Sequence, residues 1–196
     1  SADFIAYGFD LKHLMRRILE SAAYQRSSLP NETNAADQRN FARSLRRRLP
    51  AEVLLDAVGD LTGARDTLGG LAAGSRAVQT WNHKLPSEFM DAFGRPNASL
   101  ECPCERERKS TVVQSLHLMN ANGLQAKLTS AKGKVAQWAA AEKAPEEIVR
   151  ELYLSAYSRQ PDGEELKAAL AHLGRSEAPR AESMQDLVWA VINTAE

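Results

Sequence analysis

No stretch of this chain approaches the ~18 consecutive apolar residues that a helix needs to cross a bilayer, and no charged-then-apolar leader stands at its start. No membrane span is therefore expected, and an export signal would have to lie upstream of Ser1. Net charge is lacking too. The 25 Lys and Arg balance the 25 Asp and Glu, which predicts no long-range field toward nucleic acid, an anionic membrane or an acidic polymer. There is no phosphate loop, no dinucleotide-binding glycine pattern, no Gly-x-Ser-x-Gly elbow and no paired-histidine metalloprotease helix. Those gaps lower the expectation of an enzyme without removing it, because a site assembled from distant residues leaves no local pattern. Strand signals are equally scarce. The one Asp-Gly pair, Asp162-Gly163, lies between segments of helical period and reads as a helix start.

Helical patterning is what the sequence does contain. Leu11, Leu14, Met15, Ile18, Leu19 and Ala22 follow the three-and-four spacing of one helical face, with Asp10 placed as N-cap. Ala36 to Leu49 carries a similar pattern through Phe41, Leu45 and Leu49. Pro50 is expected to open a helix bearing Val53, Leu54, Ala57 and Val58 that stops near Gly63. Four glycines and almost no periodicity make 63–74 a long irregular loop, of the kind that often faces a partner. A short helix is expected at Pro86 to Phe93. Thr111 and Gln114 have the spacing of a capping box, opening a helix with Leu116 and Met119 facing inward. Beyond Gly123 a longer helix should reach about Ala141. Pro145, Glu164 and the run from Met184 to Ile192 mark the last three. The prediction is an all-α fold of about eight helices forming a single domain over 1–196, at a length that can bury a genuine core.

The sharpest local feature is Glu101, Cys102, Pro103, Cys104, Glu105, Arg106, Glu107, Arg108. Three readings stand open for the two thiols: a small strained disulfide ring that is comparatively easy to reduce, half a metal site short of ligands, or two thiols that pack a turn. The soft ligands available elsewhere are His13, His83, His117 and His172. Arg46, Arg47 and Arg48 are consecutive, so on a helix they spread around the axis and form no single basic face. His117, between Leu116 and Leu118, reads as a boundary residue rather than a base. Trp81, Trp138 and Trp189 are distributed one per segment, which suits core or interface anchoring. Glu101, Glu105, Arg106, His83 and His117 form the candidate surface site, with Cys102 and Cys104 as candidate disulfide or redox residues.

Phe9 to Ser28, Arg43 to Val58, the Gly-rich 69–74, Phe93 to Asn120, Glu151 to Leu166 and Asp186 to Glu196, in that order, carry a resemblance. Together they resemble the planctomycete-specific C-terminal domain of unknown function (domain of unknown function 1553) of large exported proteins. The resemblance covers nearly the whole chain. It implies a C-terminal piece of a longer multidomain protein in a periplasmic or extracellular setting, with upstream domains of the same polypeptide as partners. One of those is a cytochrome-c-like domain. A haem c would belong to that domain, and no cofactor is expected in this chain. The implied setting favours oxidised thiols, so Cys102 and Cys104 are expected in disulfide linkage, to each other or to another segment. The family brings no catalytic role for any residue. The leading expectation is thus a scaffold or interaction domain of an exported, haem-associated protein. Its rival is part of an extracellular enzyme acting on polymers or in electron transfer, with a site near 63–74 and 101–108. A pocket joining Glu101, Glu105 or Asp91 to His83 or His117 would favour the rival.

Overall fold

The structure is a computed structural model that describes residues 1–45, 47–80, 85–96, 112–175 and 178–194. It divides into two compact units, Ser1–Arg48 and Leu49–Glu196. All regular structure among the described residues is helical, as the periodicity predicts.

The first unit holds α1 (Ala2–Ala6) and α2 (Leu11–Leu19). The Asp10 carboxylate accepts the backbone N–H of Lys12 at 2.8 Å and of His13 at 3.2 Å, filling orphan donors at the start of α2. Gly8 and Phe9 both take positive φ, which turns α1 back on α2. The two helices meet through the Tyr7 ring stacked on His13 at 3.6 Å and through His13 Nε2 bonded to Asp3 at 3.0 Å. After α2 the chain runs through polar turns. The helix expected over Ala36 to Leu49 does not form among the described residues of that span. The reason is local: the Asp37 carboxylate accepts the backbone N–H groups of Arg39, Asn40 and Ala42 at 2.9–3.0 Å. Such side-chain capture offers the backbone an alternative to the helix, and Phe41 then enters the left-handed region at φ 54°.

The second unit begins with α3 (Ala51–Thr62), which starts at Pro50 and ends at Gly63 in the left-handed conformation, φ 69°. A 3-10 turn (Ala77–Gln79), α4 (Glu88–Ala92), α5 (Val112–Asn120), α6 (Asn122–Leu128) and α7 (Lys134–Ala140) follow. Then come α8 (Pro145–Tyr157), α9 (Gly163–Leu173) and α10 (Arg180–Ile192). Pro145 at N1 opens α8, and a reciprocal Asp162–Glu165 capping box opens α9.

Two buried clusters organise this unit. The larger joins Val58 and Leu61 of α3 to Leu124, Leu128, Trp138, Ile148, Leu152, Met184 and Val188 from α6, α7, α8 and α10. The smaller packs Ala51 and Leu55 of α3 with Leu68, Ala77, Met90 and Phe93. α3 thus serves both, and it does so by approaching the α6–α7 turn closely. A Cβ on Gly63 would sit 2.7 Å from the Lys134 backbone nitrogen, and one on Gly133 would sit 2.8 Å from the Thr62 carbonyl oxygen. This crossing explains why the single helix expected from beyond Gly123 to Ala141 is instead two. The chain must bend at Thr129–Gly133 to admit the end of α3.

Candidate functional site

The loop after α3 is irregular, as its glycines predict, but it is tied down. Asp56 is buried within α3 and accepts the backbone N–H groups of Ala77 at 2.6 Å and Val78 at 3.1 Å. Asp60, one turn further on, accepts from Arg76 at 2.8 Å and pairs with Arg65, whose guanidinium also donates to Gly74 O at 3.0 Å. From the opposite side, Lys127 of α6 reaches Ala64 O at 3.1 Å and Asp66 Oδ1 at 2.5 Å. The lysine head is 8% exposed, so its charge is satisfied by the loop.

Between that loop, the start of α4 and the α5–α6 junction lies a groove of about 540 Å³, a size suited to small molecules. Val58, Leu68 and Phe89 contribute apolar surface, and Asp66, Glu88, His117 and Lys127 contribute the ionisable groups. Of these groups Asp66, Lys127 and His117 are engaged with structure. The Phe89 and Phe93 rings stack at 4.6 Å, and His117 packs edge-on against them at 5.5 and 5.9 Å. Asp91 is held by Arg95, a buried side chain that also donates to Leu85 O. His117 is half-buried at the boundary of the core, and among the described residues the Asp91 carboxylate is paired with Arg95. Among the described residues no group of three or more His, Cys, Asp or Glu could hold a metal ion. Cys102, Cys104, Glu101, Glu105, Arg106 and His83 lie outside the described residues, as do Thr111, Trp81 and Arg46.

α5 overturns one sequence expectation. Leu116 and Met119 do not face inward; they are 52% and 49% exposed, and Val112 and Val113 are more exposed still. The buried side carries Gln114, at 6%, followed by half-buried His117, Leu118 and Ala121. That set has the same three-and-four spacing as the apolar one, and the aromatic pair on α4 selects it. The helix consequently turns Val112, Val113, Leu116 and Met119 outward and keeps Leu118 inside.

The first unit shows the same tendency more fully. None of its described residues is buried. The sequence-predicted apolar face of α2 exists, yet Leu11, Met15, Ile18 and Leu19 are 47–61% exposed. Composition held a signal that whole-chain arithmetic conceals: residues 1–48 contain nine Lys and Arg against five Asp and Glu. The first unit is thus +4 and the remainder −4, a charge asymmetry that marks interaction surfaces.

No helix among the described residues is long and apolar enough to cross a membrane. No curated protein and no solved structure is significantly similar to the chain. Residues 1–173 match the PSD1 family, proteins of unknown function (DUF1553), and the chain belongs to that family.

Proposed function

We propose that this chain is a helical scaffold and interaction domain of an exported, haem-associated multidomain protein. In this reading it docks a neighbouring domain of the same polypeptide through the outer face of α5. The observation that carries the proposal is the inversion of that helix, with Gln114 buried while Val112, Val113, Leu116 and Met119 face solvent. Each such side chain stabilises an interface by about 1.5–3 kcal/mol when fully covered, so four in one row form a surface suited to a partner.

Haem c attachment does not fit these residues. The only two cysteines are separated by a single proline, and no Cys-x-x-Cys-His sequence occurs. The haem of this reading therefore sits elsewhere in the polypeptide, and no chemistry is routed through this chain. The rival reading, an extracellular enzyme with a site at 63–74 and 101–108, draws less support. The described part of that region is held by Asp56, Asp60 and Lys127, and His117 is engaged in packing.

Hydrogen exchange of α5 amides in the full-length polypeptide and in residues 1–196 tests the proposal. Slower exchange in the full-length protein is expected, and a Leu116→Asp/Met119→Asp variant should lose that protection. The same variant should change the stability of the isolated chain by no more than about 0.5 kcal/mol per site, because both positions are exposed. Equal exchange in the two proteins would remove α5 as a docking face.

A further inference from the structure

The second exposed face, on α2, belongs to a different unit and has different chemistry. Around the helix axis Leu11, Leu14, Met15, Ile18 and Leu19 occupy one continuous arc, and Lys12, His13, Arg16, Arg17 and Glu20 occupy the other. The separation is complete over the whole helix and the cap residue that follows it. The ring stacking and the hydrogen bond that join α1 to α2 run from Tyr7 and Asp3 to His13, which lies on the polar arc. On the apolar arc Leu14 is half-buried, while Leu11, Met15, Ile18 and Leu19 stay 47–61% exposed.

Charge fixes what would cover it. Lys12 borders the apolar arc on one side and Arg17 on the other, so both edges carry a long cationic side chain that can lay its stem along an apolar layer and keep its head in a polar one. A groove in a protein has two walls to satisfy and rarely demands cations on both. A flat layer with an apolar interior and an anionic rim does. Arg16 adds a third cation to the polar arc, and the unit as a whole is +4.

We infer that α2 is an interfacial helix that seats the first unit on an anionic lipid surface, with Leu11, Met15, Ile18 and Leu19 inserted at the headgroup boundary and Lys12 and Arg17 on the lipid phosphates. This is attachment to one face of a membrane and requires no spanning segment. Nine residues bury little apolar area, so binding is reversible and depends on both apolar insertion and charge.

Co-sedimentation of the 196-residue chain with vesicles tests this. One set is phosphatidylcholine with about one quarter phosphatidylglycerol, the other phosphatidylcholine alone. Pelleting is expected with the anionic vesicles and at least about tenfold weaker with the neutral ones. Met15→Asp/Ile18→Asp should reduce it by about tenfold or more, and Arg16→Glu/Arg17→Glu, or about 0.5 M salt, by several-fold. Neither variant touches a buried residue; helical circular dichroism and the near-ultraviolet signal of Tyr7, which stacks on His13 of α2, serve as folding controls for this unit. The Leu116→Asp/Met119→Asp variant should bind vesicles normally, which separates this surface from that of α5. Failure to pellet with anionic vesicles overturns the inference. So does pelleting that survives both α2 variants, or a concentration-dependent self-association that Met15→Asp/Ile18→Asp abolishes, since that would assign the face to a second copy.

Discussion

Among the described residues, Glu165 is the group whose ionisation is most strongly coupled to the fold. Its two carboxylate oxygens each accept a hydrogen bond of 2.7 Å from the Arg159 guanidinium, and Oε2 also accepts the Asp162 backbone N–H at 2.8 Å. The arginine hydrogen bonds and then the Asp162 amide hold its carboxyl at about 2, from an ordinary value of 4.5. Taken at face value that drop is worth about 3 kcal/mol. Glu165 is 28% exposed and Arg159 37%, so water screens the pair and about 1 kcal/mol is the expected net contribution. The folded state prefers the charged form. The stabilisation is therefore complete above pH 4.5 and is lost as pH falls from 4.5 toward about 2. Glu165→Gln isolates this effect, because a Gln at the same position can still cap the Asp162 amide while losing the paired charge. Urea denaturation should show the variant less stable by about 1 kcal/mol at neutral pH, with a melting point lower by about 2–4 °C. The deficit should shrink as pH falls toward about 2 and vanish below it, where the wild-type carboxyl becomes neutral. Glu165→Ala should cost about 1 kcal/mol more through the lost cap, and that increment should persist in acid. A Glu165→Gln deficit of the same size at neutral and acid pH, or none at neutral pH, would refute the assignment to the Arg159 charge.

The crossing of α3 with the α6–α7 turn predicts a contrast among glycines. Gly63→Ala should destabilise by about 2 kcal/mol or more, combining left-handed strain with the 2.7 Å approach to Lys134 N, whereas Gly70→Ala, also at positive φ but with open space around it, should cost about 1 kcal/mol. Equal midpoints in urea for the two variants would contradict this. Asp56→Ala removes the acceptor of the Ala77 and Val78 amides. It should cost about 2–3 kcal/mol and speed hydrogen exchange at those two amides by at least about tenfold. Unchanged exchange there would mean that the loop is held by Asp60 and Lys127 alone.

The elements that sequence reading places well are those decided by a few adjacent residues. Asp10 caps α2, Pro50 and Gly63 bracket α3, Pro145 opens α8 and Asp162 with Glu165 opens α9. Each acts on the backbone within one turn of itself, so no distant contact is needed to read it. The misreadings share the opposite property. The break between α6 and α7 is imposed by Thr62 pressing on Gly133, seventy-one positions away in sequence. The inner face of α5 is chosen by Phe89 and Phe93, since its two candidate stripes have the same period. Asp37 shows a nearer competition, in which one carboxylate captures three amides and a plausible helical pattern gives way. Asp56 and Asp60, one turn apart in the C-terminal half of an apolar-rich helix, are a signal that could have been read as a tether for the following loop.

The candidate surfaces were harder to read for a different reason. Periodicity identifies an apolar face but says nothing of whether the chain itself covers it, because burial is a property of neighbours rather than of spacing. The stripe Leu11, Met15, Ile18, Leu19 and the stripe Ile148, Val149, Leu152, Tyr153 of α8 both mark one apolar helical face on paper, yet the second is buried in the core and the first is exposed. Net charge fails in a parallel way. A sum of zero excludes an attracting field only if the charges are mixed in space, and here the residues before Leu49 hold an excess of four positive charges that the rest of the chain cancels only in the total. At a Debye length of about 10 Å a partner responds to the unit it meets and not to the whole molecule. Charge should therefore be summed over each compact unit before a class of partner is excluded, and for Ser1–Arg48 that sum points to an anionic one.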